Sequence, residues 1–151
     1  MNSKDFKIIF DTAAKANAFK KKFGGWFKES HECTVVLDLQ KSKFGDFYEL
    51  NIKIFIQGLF GSSYVTDKNL VKKHAGDVFT RQPDNYRDVL DFDILINDEE
   101  RRENLNQLFS EYIVPVTNKA LSRIGLKELD EIKTIYLLPA VREELSQLKA
   151  L

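Results

Sequence analysis

Residues 33–56 read CTVVLDLQKSKFGDFYELNIKIFI, and the alternation within them decides the fold. Val35, Leu37 and Leu39 fall on one side of an extended segment over 33–40. Leu50, Ile52 and Ile54 fall on one side of a second over 47–56, because successive strand side chains point to opposite faces. Residues 41–46 between them are polar and include Gly45, the composition of a hairpin connection. The two oily faces meet when Leu37 lies opposite Ile52 and Leu39 opposite Leu50. The same register sets Asp38 against Asn51 and Gln40 against Glu49. A slip of one residue would set oily positions against polar ones, so the pattern specifies the pairing.

Upstream, Asn2 or Ser3 can cap a helix whose apolar positions Phe6, Ile9, Phe10, Ala13, Ala16 and Phe19 follow a 3.6-residue period. Lys20, Lys21 and Lys22 suit its last turn, and Gly24 and Gly25 suit its end. A strand over 26–30 then leads past His31 and Glu32 into the hairpin. Downstream, 58–73 reads as a loop and 77–81 as a short strand broken by Pro83. Residues 89–96 alternate, Leu90, Phe92, Ile94 and Ile96 against Asp91 and Asp93, which reads as a further strand with one wet face. Asn97 or Asp98 caps a helix carrying Leu105, Leu108, Phe109 and Tyr112. Pro115 is expected to kink or break it, and Gly125 to end its continuation over 116–124. Residues 126–138 suit a helix or a strand, and Pro139 opens a last helix with Val141, Leu145 and Leu148 inward. The expectation is one α+β domain over 1–151. It has an N-terminal helix, an antiparallel sheet of four to five strands with a central hairpin, and C-terminal helices packed on one face.

The composition is that of a soluble globular chain, 43% hydrophobic and 30% charged with zero formal net charge. A nucleic-acid binder normally carries a basic excess, so that class is disfavoured. Charge is nonetheless uneven. Residues 1–28 hold seven lysines against two aspartates, and 84–111 hold nine acids against three arginines. This describes either two solvated helix faces or a dipolar surface that steers a partner. A lone cysteine excludes an intramolecular disulfide. No run approaches the ~20 apolar residues of a membrane span, and MNSKDFKIIF lacks the apolar core of a signal peptide. A cytoplasmic, reduced setting is expected.

The hairpin's polar face collects Asp38, Gln40, Glu49, Asn51 and Lys53. Amides both donate and accept, so Gln40 and Asn51 can hold a polar group in a fixed orientation. The competing reading is a solvated outer face with Ser42 as a turn residue bonding its local backbone. Asp91 and Asp93, two apart, offer oxygen ligands for Mg²⁺ or Ca²⁺, against a plain wet strand paired with Arg81 or Arg87. Cys33 stands two residues from His31. A nucleophile–base pair needs an activated thiolate, whereas an apolar strand suits a buried thiol. Of the aromatic residues near the hairpin (Trp26, Phe27, Phe44, Phe47 and Tyr48), Phe44 is expected to be exposed and the others packed.

The run Leu39-Gln40-Lys41-Ser42-Lys43-Phe44-Gly45, then Phe47-Tyr48 and Asn51-Ile52, resembles the bacterial family known as domain of unknown function 4304. Arg81 before Asp91 matches that family's arginine ahead of an acidic strand. Asp98-Glu99-Glu100-Arg101 and Tyr112-Ile113-Val114-Pro115 are similar to its C-terminal helical part. The resemblance covers most of the chain and implies a fold and a bacterial source, with no assigned activity. The expected function is non-catalytic binding through the polar hairpin face and Arg81. It needs no cofactor, and the partner is a protein or a small polar ligand met by a monomer or homodimer. The alternative is a small-molecule or metal-dependent enzyme using Arg81, Asp91 and Asp93.

Overall fold

The structure, a computed structural model, describes residues 1–148; the last three residues of the expected 1–151 domain lie outside them. Helix α1 (Ser3–Ala16) opens on Asn2, whose side chain accepts from Asp5 N–H while the Asp5 carboxylate accepts from Asn2 N–H. This reciprocal cap satisfies two donors that the first helical turn leaves open. Strands β1 (Lys20–Lys22), β2 (Gly25–Glu29), β3 (Cys33–Lys41), β4 (Tyr48–Ile56) and β5 (Val78–Arg81) form one antiparallel sheet in sequence order. The β3–β4 register is the expected one, with Leu37 opposite Ile52, Asp38 opposite Asn51 and Gln40 opposite Glu49.

The core lies on one face of the sheet. Trp26, Leu37, Leu50, Ile52 and Ile54 meet Phe6 and Phe10 of α1 there. The same cluster takes in Leu105 and Leu108 of α3 (Asp98–Leu108), Phe109 and Ile113 of a π turn (Phe109–Ile113), and Val116 of α4 (Val114–Lys119). Leu126 and Leu129 of α5 (Arg123–Glu131) and Val141 and Leu145 of α6 (Pro139–Gln147) complete it. Phe10 sits between Trp26 and Phe109, with ring centroids 4.7 and 5.1 Å away. Trp26 satisfies its indole by donating to Asp11 at 2.9 Å. Such ring pairs contribute about 0.5–1.5 kcal/mol each beyond their burial.

Several expectations are corrected. Lys20–Lys22 form strand β1 rather than a helical turn. The chain reverses through Phe23 (φ 54) and Gly24 (φ 81), two consecutive left-handed residues of a tight hairpin. Residues 89–96 form no regular strand. Asp84–Leu90 is a 3-10 turn, Asp91 makes one isolated bridge to Phe47, and Leu95 is fully exposed. The reason is Arg101, buried on α3, whose guanidinium donates to the carbonyls of Asp88, Val89, Asp91 and Ile94. In a strand the carbonyls of Asp88 and Ile94 would point to the opposite edge from those of Val89 and Asp91, so one guanidinium gathers all four only from a chain that is not extended.

At Pro115, where a kink or break was expected, the helix does not break: it passes through the π turn, an irregularity of the kind that kinks helices, and resumes as α4. Gly125 ends nothing. It lies inside the first turn of α5, where Ser122 caps its N–H at 2.9 Å. The segment that suited a helix or a strand resolves into the rest of α5 and an irregular stretch before α6.

The 58–73 segment is more than a loop. Asp67 caps the short helix α2 (Lys68–Lys72), and Leu70 and Val71 pack on Phe27, Val36 and Phe55 on the sheet face opposite the core. Gly25 permits this approach, since a Cβ there would stand 2.9 Å from a Val71 methyl and 3.0 Å from Leu37 O. Beside this second cluster Tyr64 donates to Asp77 Oδ1 at 3.0 Å, and Ile56 N–H donates to Asp77 Oδ2 at 2.8 Å. Burial pushes the Asp77 carboxyl upward, outweighing those two hydrogen bonds. The folded chain then holds the proton more tightly than the unfolded one, which titrates near 3.8. Stability from this group is complete below that value and is lost as pH rises through the folded-state pKa. Asp77→Asn should flatten this dependence in urea midpoints taken from about pH 3 to 7. An unchanged slope would assign the effect to another group.

Candidate functional site

The outer sheet face is laid out in cross-strand rows. One row runs Asp38–Asn51–Arg81 and the next Val36–Lys53–Phe79. Asn51 is the hub and is only 4% exposed. Its Nδ2 donates to Gln40 Oε1 at 2.9 Å and to Asp38 Oδ2 at 3.3 Å, and its Oδ1 accepts from Arg81 Nε at 3.0 Å. Both amide protons and the carbonyl are thus used, as a buried amide requires. Glu49 accepts from Gln82 at 3.0 Å, and Gln82 Oε1 accepts from Leu50 N–H at 2.9 Å, extending the β4 ladder beyond the end of β5. Lys53, 6% exposed, donates to Val71 O of α2 at 2.6 Å. Burial lowers its pKa, the nearby Lys72 adds to this, and Asp38 opposes it.

Ser42, a binding candidate that the competing reading took as a turn residue, bonds the local backbone of the turn. Its hydroxyl accepts from Phe44 N–H at 3.0 Å, and its N–H donates to Phe47 O. Phe44 at the tip is 97% exposed, while Trp26, Phe27 and Tyr48 are buried. A groove of about 400 Å³ lies under the tip, lined by Gln40, Ser42, Phe44, Phe47, Glu49 and Arg81. A second, of about 380 Å³, is lined by Asp38, Gln40, Asn51, Lys53, Val71 and Lys72. Gln40 borders both. Arg81 stacks on Phe79 at 5.5 Å and Arg87 on Phe47 at 5.9 Å. Arg81 Nη1 and Nη2 make no hydrogen bond or ion pair within the described residues.

The structure therefore brings Asp38, Gln40, Ser42, Glu49, Asn51, Lys53 and Arg81 onto one face. Asp91 and Asp93 lie in the segment clamped by Arg101 and meet the hairpin only at its connection, at Phe47 and Asp46. Asp91 Oδ1 accepts from Asp93 N–H at 3.0 Å, and Asp93 Oδ2 accepts from Asp46 N–H at 3.3 Å. No hydrogen bond or ion pair joins either carboxylate to Arg81, and no group of three His, Cys, Asp or Glu suited to a metal occurs among the described residues. Cys33 is fully buried on the core face, its thiol pushed up to about 12 by burial and then by Glu32. It stays protonated beside an exposed His31. The residues that went unnoticed in the sequence are Lys72, Phe79 and Gln82. The signal for α2 was present in Val36 and Phe55, oily positions on an otherwise polar face.

The Asn51 hub predicts a variant. Asn51→Asp replaces a donor with an acceptor against the Asp38 carboxylate and Gln40 Oε1. It should lose about 2 kcal/mol at pH 7, part of it regained on acidification as the new carboxyl protonates. Thermal melts at two pH values check this, and a variant as stable as the parent at pH 7 refutes the hub.

Taken together, these features define a small α+β fold with the N- and C-terminal helices on one sheet face and, on the other, a recessed polar surface partly covered by α2. The chain belongs to the family described as a domain of unknown function (DUF4304), whose model matches residues 10–119. No curated protein and no solved structure matches it. No described helix is long and apolar enough to cross a membrane.

Proposed function

We propose that this chain is a non-catalytic binding domain whose recognition surface is the outer face of hairpin 33–56 together with Arg81. One observation carries the reading. The saturated, buried Asn51 amide fixes the Arg81 guanidinium by its Nε, leaving two terminal nitrogens for a partner beside the exposed Phe44. Arginine and aromatic side chains on a rigid support are the groups that dominate binding energy at interfaces. Gln40, Glu49 and the spare donors of Lys53 add orientation. The partner is a protein or a small polar ligand, met by a monomer or homodimer in the cytoplasm.

The enzymatic alternative has no comparable support, because Asp91 and Asp93 serve as backbone acceptors and neither bonds Arg81. The test is retention of a partner from an extract of the native organism on the immobilised chain. The double variant Gln40→Ala with Arg81→Ala should retain about tenfold less. Because both changes strip partners from the buried Asn51 amide, it should also melt lower than the parent, so retention is compared well below both melting temperatures. Equal retention by parent and variant would remove the face from the function.

A further inference from the structure

Lys53 lies in the middle strand pair of the outer face and is 94% hidden from solvent by Val36, Phe79 and α2, being 6% exposed. An ammonium has three donors, and Lys53 Nζ uses one on the protein, toward Val71 O. Asp38 attracts it, yet no ion pair within 4.0 Å joins them. The Asp38 carboxylate instead receives Asn51 Nδ2. Lys72, on α2, lines the same groove, is exposed, and makes no hydrogen bond or ion pair within the described residues. The amide nitrogen of Gln40 is unused in the same way, because its Oε1 takes the bond from Asn51. A buried charge with unmet donors is costly unless paired. Here two ammonium groups that repel one another border one concave space of about 380 Å³, with the Asp38 carboxylate on its wall held by Asn51 Nδ2.

We propose that this groove binds an oxyanion, a carboxylate or phosphate group of the ligand, between Lys53 and Lys72 with Gln40 as a neutral donor. The inference rests on the outer face being the recognition surface and assigns the chemistry recognised at its α2 end. Charge-assisted bonds from two ammonium groups suit an anionic oxygen better than any neutral acceptor. The valine and phenylalanine walls around Lys53 lower the local dielectric and strengthen them.

The test is titration of the whole chain with inorganic phosphate, sodium acetate and sodium chloride, followed by NMR of the lysine side-chain Cε–Hε signals. Phosphate or acetate should give saturable shifts at Lys53 and Lys72, with a dissociation constant on the order of 1–10 mM. Saturation by phosphate alone identifies a phosphate-bearing ligand, and saturation by acetate alone a carboxylate. Lys53→Met keeps the buried stem and should abolish saturation, and Lys72→Ala should weaken it about tenfold. Should Lys53→Met fail to fold, the exposed Lys72→Ala carries the comparison. Shifts that are linear, or equal in chloride, or unchanged in Lys72→Ala, overturn the site. Absence of saturable anion binding by the parent chain, alongside Arg81-dependent partner retention, would overturn this inference alone, whereas retention indifferent to the face would overturn the reading beneath it.

Discussion

Arg101→Met is expected to lose about 3 kcal/mol of stability, a fall in melting temperature of about 10 °C for a chain of this size. Arg101 is 3% exposed, and its guanidinium gathers the carbonyls of Asp88, Val89, Asp91 and Ile94 at 2.7 to 3.2 Å while lying 4.9 Å from the Phe92 ring. Methionine fills the stem's volume but donates nothing, so four carbonyls lose a charged partner and residues 88–94 lose their common anchor. Arg101→Lys restores the charge without the planar fork and should recover less than half of the loss. Limited proteolysis within 88–95 should accelerate in step with the melting temperature. A methionine variant that melts within about 2 °C of the parent would show that the clamp is incidental to stability.

Gly125→Ala is expected to lose about 3 kcal/mol, although helix propensity alone argues for a gain of about 1 kcal/mol. The conflict makes the sign informative. A Cβ at position 125 would stand 1.9 Å from Lys119 O and 2.7 Å from Lys119 C, a backbone collision that no rotamer change can relieve. Relief requires α5 to move away from the end of α4. That movement strains the Ser122 cap on Gly125 N–H and the Lys119–Glu128 ion pair at 3.2 Å. Urea denaturation decides the matter: a variant equal to or more stable than the parent would mean that the α4–α5 corner accommodates a side chain.

These two residues also mark where a linear reading stops. Gly125 reads as a helix terminator because glycine commonly is one, but its role here is to leave room for Lys119 O, a contact across a corner between two helices. Arg101 lies on the solvated-looking side of an acidic helix start, and its burial follows only from where residues 88–94 fold back. The alternation at 89–96 is a true strand pattern, but the chain there instead folds the carbonyls of Val89, Asp91 and Ile94 onto one guanidinium. Lys20–Lys22 followed a helical run and became an edge strand because Phe23 and Gly24 turn the chain.

The family resemblance carried by 39–52 was legible, and the family match over 10–119 agrees with it. Of the candidate site, six hairpin residues and Arg81 were legible because period-two alternation places them without any knowledge of distant chain. Lys72, Phe79 and Gln82 were not, because α2 is five residues long and its position depends on burying Leu70 and Val71 against Phe27, Val36 and Phe55.

By itself the sequence determined the capped first helix, the β3–β4 register and the sorting of that hairpin into an oily and a polar face. Each is a local, periodic property that neighbouring residues enforce. The tertiary structure alone decided that the polar face would be partly roofed by α2, that Asn51 and Lys53 would be buried there, and that Asp91 and Asp93 would leave the sheet. Those outcomes depend on long-range burial and on donors supplied from other elements, which no window along the chain contains.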